Sequence, residues 1–243
     1  MELEIYHKTA AFESGHWWFI GRRVIVKTVL DRLQILSDAQ ILEVGCGTGG
    51  NLPLLAQYGA VYGMEIDATA RAYASARGIA PVFSGSLPYE IPGPDNYYDL
   101  IVMTDVLEHA DEAELSLQNL YLRLKRGGYL LVTVPAYAGL WSKHDEAHHH
   151  KRRYTKGKLT ALIKHANFDI IINSYFNTLL FPAIAGLRLC QKLVKTETTD
   201  DLKMPPEGLN RLLARLFAIE RHFLPYLSLP FGVSLLIVGR KPA

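Results

Sequence analysis

The sequence predicts an α/β fold: one mostly parallel sheet of seven strands with helices on both faces. Three observations carry this. From about residue 40 onward, short apolar runs alternate with stretches of helical periodicity, the pattern of a parallel sheet with crossover helices. Runs such as LIVM and YLLVTV are apolar throughout, as suits strands buried on both sides. The 243 residues are 49% hydrophobic and 21% charged, an ordinary globular balance.

The elements follow in order. QILEVG (40–45) reads as the first strand, and NLPLLAQYG (51–59) as a helix ending near Gly59. AVYGMEID (60–67) is the second strand, and ATARAYASARG (68–78) a helix stopped by Gly78. IAPVFSG (79–85) is the third strand and YDLIVMTD (98–105) the fourth. A helix is expected over about 112–125, ending at Gly127-Gly128, before the fifth strand YLLVTVP (129–135). TKGKLTALIKHAN (155–167) is a helix, FDIIINSYF (168–176) the sixth strand and GVSLLIVGR (232–240) the last. Two segments break the rhythm: 1–36, helical and ahead of the first strand, and 176–229, two helices before the last strand (230–243). The loop KTETTDDLKMPPEG (195–208) between those helices is polar and expected to be mobile. Neither segment can bury a core alone, so 1–243 is read as one domain: a helical lid (1–36), a cofactor-binding core (37–175), a helical insertion (176–229) and the last strand.

Bulk properties exclude several classes. A formal net charge of +2 gives no global attraction to nucleic acid. Two cysteines, Cys46 and Cys190, exclude a disulfide framework and a cysteine-rich zinc fold. MELEIYHKTA has no signal-peptide pattern. The most apolar run, LLFPAIAGL, is far shorter than the ~20 residues of a membrane span. A cytoplasmic protein is expected, with peripheral membrane contact left open by the apolar helices around 174–193 and 209–227.

EVGCGTGG (43–50) lies between a predicted strand and a predicted helix. Glycines there allow a sharp turn and close approach of a ligand to the backbone. Glu65, at the end of the second strand, is placed to accept hydrogen bonds from both hydroxyls of a ribose. Gly45, Gly47 and Gly49 give G-x-G-x-G, whereas dinucleotide sites favour G-x-G-x-x-G. That spacing disfavours a nicotinamide oxidoreductase and leaves another adenosine cofactor.

ILEVGCGTGG, VYGMEID, YYDLIVMTDVLEHADE and LKRGGYLLVTVP together resemble the motifs of class I S-adenosyl-L-methionine (AdoMet) dependent methyltransferases, over about residues 40–135. GHWWFIGRR and LWSKHDEAHHHKRRYT resemble a bacterial small-molecule or lipid-precursor subgroup, with a looser likeness to ubiquinone-pathway O-methyltransferases. The resemblance implies a Rossmann-like sheet with an antiparallel last strand and AdoMet as cofactor. It implies that Gly45, Cys46 and Gly47 line the methionine and ribose, that Glu43 stands near the cofactor amino group and that Glu65 holds the ribose. Ile66 would pack on adenine, and Asp105 and Val106 would lie beside the methionine. Ser86 and Leu87 occupy a position where the family often has an acidic residue on the adenine amino group, so that contact would come from backbone atoms. Trp18 offers an aromatic face to a sulfonium cation, and Arg22 or Arg23 a clamp for the cofactor carboxylate.

Methyl transfer to a hydroxyl benefits from a base, and histidine titrates near working pH. His109, His144 and His150 are the candidates, with Asp145 placed to orient a histidine. His148 and His149 are expected to be solvent-exposed. A zinc site is not expected, because the spacing is loop-like and no second ligand pair with a matching pattern appears elsewhere. Lys151, Arg152, Arg153, Lys156 and Lys158 form a cationic run. Arg152 and Arg153 are therefore expected to hold an anionic group of the acceptor, and Tyr154 to hydrogen-bond the acceptor or to pack. The expected function is methyl transfer, at oxygen, to a small or lipid-linked acceptor. An RNA methyltransferase and a non-catalytic AdoMet-binding partner subunit remain as alternatives. TDVLEH stands where amino-methylating enzymes of nucleic acid bases carry an N/D-P-P-Y motif, so a nucleic-acid acceptor is disfavoured.

Overall fold

The computed structural model describes residues 3–194, 203–224 and 226–243. Seven strands form one sheet: β1 (Ala39–Val44), β2 (Gly59–Met64), β3 (Val82–Phe83), β4 (Tyr98–Thr104), β5 (Leu124–Pro135), β6 (Asp169–Phe176) and β7 (Ser234–Arg240), in the order β3-β2-β1-β4-β5-β7-β6. β1 pairs in parallel with β2 and β4, and β4 with β5; β7 runs antiparallel between β5 and β6. The expected mostly parallel sheet with an antiparallel last strand is therefore present. Chain order reverses at β1, which has β2 on one side and β4 on the other, and this opens a crevice at the strands' carboxyl ends.

Two helical layers cover the sheet. On one face, α5 (Ala113–Arg123) and α7 (Lys156–His165) bury Leu117, Leu120, Leu159 and Ile163 against Leu42, Ile101, Leu130 and Ile237. On the other, α2 (Trp17–Leu30), α4 (Ala68–Ala76) and α9 (Glu207–Ile219) set Ile25, Val29, Ala74 and Phe217 on Ile41, Leu100, Leu131 and Leu236. Alternate residues of one strand, such as Leu130 and Leu131, serve opposite layers, which is why the runs are apolar without a break. α4 starts where Asp67 accepts hydrogen bonds from the Thr69 and Ala70 amides, at 2.8 and 2.9 Å. α1 (Leu3–Phe12) precedes α2, and α8 (Phe181–Val194) precedes α9 between β6 and β7.

Several boundaries differ from expectation. The helix expected over 51–59 is a single turn, α3 (Leu52–Leu55), and the chain turns at Tyr58 into β2. The third strand shrinks to two residues, since an edge position has one neighbour and Pro81 has no N–H to donate. β5 begins at Leu124, not after Gly128, because Leu124 already pairs with Tyr98. Of the loop expected to be mobile, 195–202 lie outside the described residues. α2 is integral to the core, with Ile25, Val29 and Leu30 at most 1% exposed. Within 1–36, the segment expected as a lid, α2 is thus part of the core.

Candidate active site

At the carboxyl end of β1 the chain turns through Gly45 (φ 63°) and Gly47 (φ 53°), in the left-handed region. A Cβ on Gly45 would stand 2.5 Å from Val106 Cγ2, whereas one on Gly47 would meet nothing within 4 Å. Gly45 is thus required by packing, and Gly47 leaves an open flank for a ligand. The loop is braced from β2: Glu65 accepts from the Gly47 and Asp67 amides, both at 2.9 Å, and burial raises its carboxyl pKa. It is braced also from the N-terminal segment. Glu13 accepts from Thr48 Oγ1 at 2.5 Å and pairs with Arg77.

A cavity of about 340 Å³ opens beside this loop. Its end beside the loop is lined by Trp18, Arg22, Glu43, Gly45, Cys46, Gly47 and Asp105. Arg22 Nη1 donates to Asp105 Oδ2 at 2.5 Å, and Asp105 holds a left-handed backbone (φ 56°), strain of a kind concentrated at functional sites. Asn51 Nδ2 donates to Glu43 Oε1 at 2.8 Å. Among the described residues, Glu43 Oε2 and Arg22 Nε are buried with no hydrogen-bond partner. Burial pushes the Glu43 carboxyl up to about 7.

The far end of the cavity is lined by Glu108, His109, His144, His148, His150, Arg153 and, from α8, Ile184, Leu187 and Arg188. The segment expected as a loop contains a short helix, α6 (Lys143–Ala147), begun by a capping box between Ser142 and Asp145. Asp145 is fully buried; burial alone would raise its carboxyl pKa, but hydrogen bonds from His150 and Arg153 hold it well below the usual range. An ionised Asp145 only accepts, so His150 Nδ1, 2.8 Å from Asp145 Oδ1, is the donor. In the neutral ring the lone pair is then on Nε2. Burial, with His150 nearby, lowers His109 and His148 to about 4, and burial lowers His144 well below its ordinary value, so all three are neutral near pH 7.

The structure thus brings His109, His144 and His150 together at one cavity, with Asp145 behind His150. Ile66 is exposed at the end of β2, Ser86 Oγ donates to Glu90, and Leu87 packs on the core; with Glu65 they stand outside the cavity lining. Gly49 packs against Ala74 of α4 and does not line the cavity. The residues expected as an anion grip spend their polar groups on internal contacts. Arg153 is buried, its guanidinium given to both Asp145 oxygens and to the Ala136 carbonyl. Arg152 donates to the Asp111 carbonyl, and Tyr154 is buried with its hydroxyl on the Leu107 carbonyl. Lys151 pairs with Asp111, away from the cavity. His148, expected to be solvent-exposed, instead lines the cavity, while His149 is exposed as expected. The i, i+4 spacing of His144 and His148 carried that signal once the segment was helical. Glu108, Glu13 and Asn51 were also missed, because nothing in sequence tells a buried polar contact from a solvated one.

Residues 19–172 match the family described as "Methyltransferase domain". A Mycolicibacterium smegmatis protein described as a probable S-adenosylmethionine-dependent methyltransferase is 27% identical over 159 residues, 64% of this chain and 60% of that protein. A ubiquinone biosynthesis O-methyltransferase of Rickettsia bellii is 28% identical over 155 residues, 55% of this chain and 61% of that protein. The match thus spans about three fifths of the length of these curated relatives. The solved chain bound to the Haloferax volcanii Trm112 methyltransferase activator superposes with a TM-score of 0.65 at 17% identity, covering 99% of this chain and 95% of that one, a likeness of fold. With its glycine loop at the reversal point of a seven-stranded sheet and the family match across most of that sheet, the chain belongs to the methyltransferase-domain family, among the class I AdoMet-dependent methyltransferases.

Proposed function

We propose that the chain transfers a methyl group from AdoMet to a hydroxyl of a small or lipid-linked acceptor. The residues at the glycine loop fit the cofactor. Glu43 Oε2 is a buried acceptor without a partner, suited to an ammonium group, and Arg22 Nε a buried donor without one, suited to a carboxylate. These are the two ends of an amino-acid moiety. Gly47 leaves space beside the loop, and the Glu65 carboxylate, bound to the Gly47 amide, stands next to that space. Bound AdoMet supplies a methyl group on a positively charged sulfur that departs as a neutral thioether.

The chain's own work is therefore to orient, exclude water and move one proton. Ile184 and Leu187 of α8 form an apolar wall beside the histidines, which suits an acceptor with a hydrophobic body. The observation that carries oxygen as the acceptor atom is the His150–Asp145 pair. Asp145 holds the Nδ1 proton, and Nε2 is left to take the proton of an acceptor hydroxyl.

The test is AdoMet calorimetry on the purified chain, followed by transfer of a labelled methyl group into aqueous and lipid metabolite fractions. Retained AdoMet affinity with transfer reduced ~10²-fold or more in His150→Ala is expected. No AdoMet binding would sink the whole reading; unchanged transfer in the variant would remove His150 as the base.

A further inference from the structure

The sequence argued against a metal because the histidine cluster lacked a second pair of ligands. The fold supplies one. Glu108 and His109, in the turn after β4, face His150 from the segment after α6, and one donor atom from each of the three lies within 4.8 Å of the others. The Lys151 amide donates to the Glu108 carbonyl at 3.0 Å, which ties the two segments together next to the cluster.

We propose that Glu108, His109 and His150 bind one divalent transition-metal ion of the zinc or ferrous class. The second observation is Glu108 itself. Its side chain is fully buried and, among the described residues, neither carboxylate oxygen has a hydrogen-bond partner. A buried polar group left unpaired is rare in native proteins and points to a missing water or ion. A cation would pair both its oxygens and its charge. Two imidazoles and one carboxylate are a recurrent donor set for such ions, and leave coordination positions open for substrate.

The surroundings are those of a ligand set. Metal-binding histidines present one nitrogen to the ion and give the other to a carboxylate or carbonyl. His150 meets this, with Nδ1 on Asp145 and Nε2 3.9 Å from Glu108 Oε1. Two donors on one tetrahedral ion, each ~2.1 Å from it, lie roughly 3.4 Å apart. That pair therefore needs to close by only about half an ångström. The His109 and His150 rings meet nearly at right angles, 4.8 Å between centroids. All three residues line the cavity, which gives the ion a path in and an acceptor oxygen a path to it. His144 and His148, in or beside α6, form a rival set with the same His150, but that set leaves the Glu108 carboxylate unpartnered. An ion held there would take the His150 Nε2 lone pair, so the base role proposed above for His150 belongs to the metal-free site; in the loaded site the ion would make an acceptor hydroxyl more acidic, and His148, on the same cavity, would take its proton.

The test uses the full chain, stripped with a chelator and titrated with Zn2+ by calorimetry and with Co2+ by visible absorption, Mg2+ serving as control. One Zn2+ or Co2+ per chain is expected, with affinity at least tenfold lower in Glu108→Gln and His109→Ala and near wild type in His148→Ala. AdoMet affinity of each variant reports whether the fold survives. If a variant loses that too, X-ray absorption of the zinc-loaded wild type decides: two imidazoles with oxygen ligands are expected, three imidazoles overturn the proposal. No stoichiometric binding, or loss in His148→Ala alone, also overturns it. Metal binding without AdoMet binding would refute the methyltransferase reading alone, and AdoMet binding without metal the metal site alone.

Discussion

Arg153 donates through Nε and Nη2 to the two oxygens of Asp145, at 2.7 and 2.9 Å, where both side chains are sealed from water. The third nitrogen donates to the Ala136 carbonyl at the end of β5, so the pair fastens α6 and its histidines to the sheet. Breaking a buried pair from one side leaves an uncompensated charge. Asp145→Ala should lower unfolding stability by about 3–5 kcal/mol. Replacing both partners with apolar residues of similar size should cost much less. Denaturant melts of the single and double variants check this, and a double variant as unstable as the single one would contradict it.

Helices α2 and α9 touch at a glycine. A Cβ on Gly21 would stand 2.2 Å from Phe217 Cδ1, inside the van der Waals distance of a fully buried ring. Gly21→Ala should cost roughly 1–3 kcal/mol by overpacking. The cost should nearly vanish in a Phe217→Ala background, where the ring is gone, although that change alone costs about 3–5 kcal/mol. A double-mutant cycle measures the coupling, which should be of the same size as the Gly21 cost.

Gly45 and Gly47 should respond differently to the same methyl group. Both pay about 1–2 kcal/mol for a side chain in the left-handed region. At Gly45 the methyl also runs into Val106, so Gly45→Ala should destabilise the fold beyond that. Gly47→Ala should fold with only the backbone loss yet bind AdoMet at least tenfold more weakly, because the methyl takes the open flank. Thermal melts and calorimetry on the two variants separate the effects.

Glu43 should make stability pH-dependent in an unusual direction. Its carboxyl is raised from 4.5 to about 7, chiefly by burial, so between these values the folded chain binds more protons than the unfolded one. Stability from this group therefore falls as pH rises through that window. Glu43→Gln should gain on the wild type from pH 4.5 to 7, by at most about 3 kcal/mol. The buried histidines act oppositely in an overlapping range but cancel in the difference. Equal wild-type and variant pH profiles would remove Glu43 as a strained acid.

The strands, their order of burial and the glycine turn were legible because they rest on local rules. A run of apolar residues, a Gly-x-Gly between strand and helix, and an acid at the next strand's end each have one cheap structural solution. Boundaries such as β3 and α3 were less legible, since an edge position or a proline decides them through a neighbour that sequence does not place.

The sequence by itself determined the sheet and the glycine turn, because hydrophobic period and turn geometry act over a few residues; the class of chemistry came from the resemblance of its motifs to a known family. Tertiary structure decided which charged groups are used. In sequence Arg153 belongs to a cationic run with Lys151 and Arg152 and is expected to hold an anion, and only packing turns it inward to Asp145. Glu108 and His150 stand 42 positions apart, and their meeting depends on where β4 ends and how α6 is fastened. Burial and long-range pairing set the charge and partners of such groups, and neither is written in the order of neighbours along the chain.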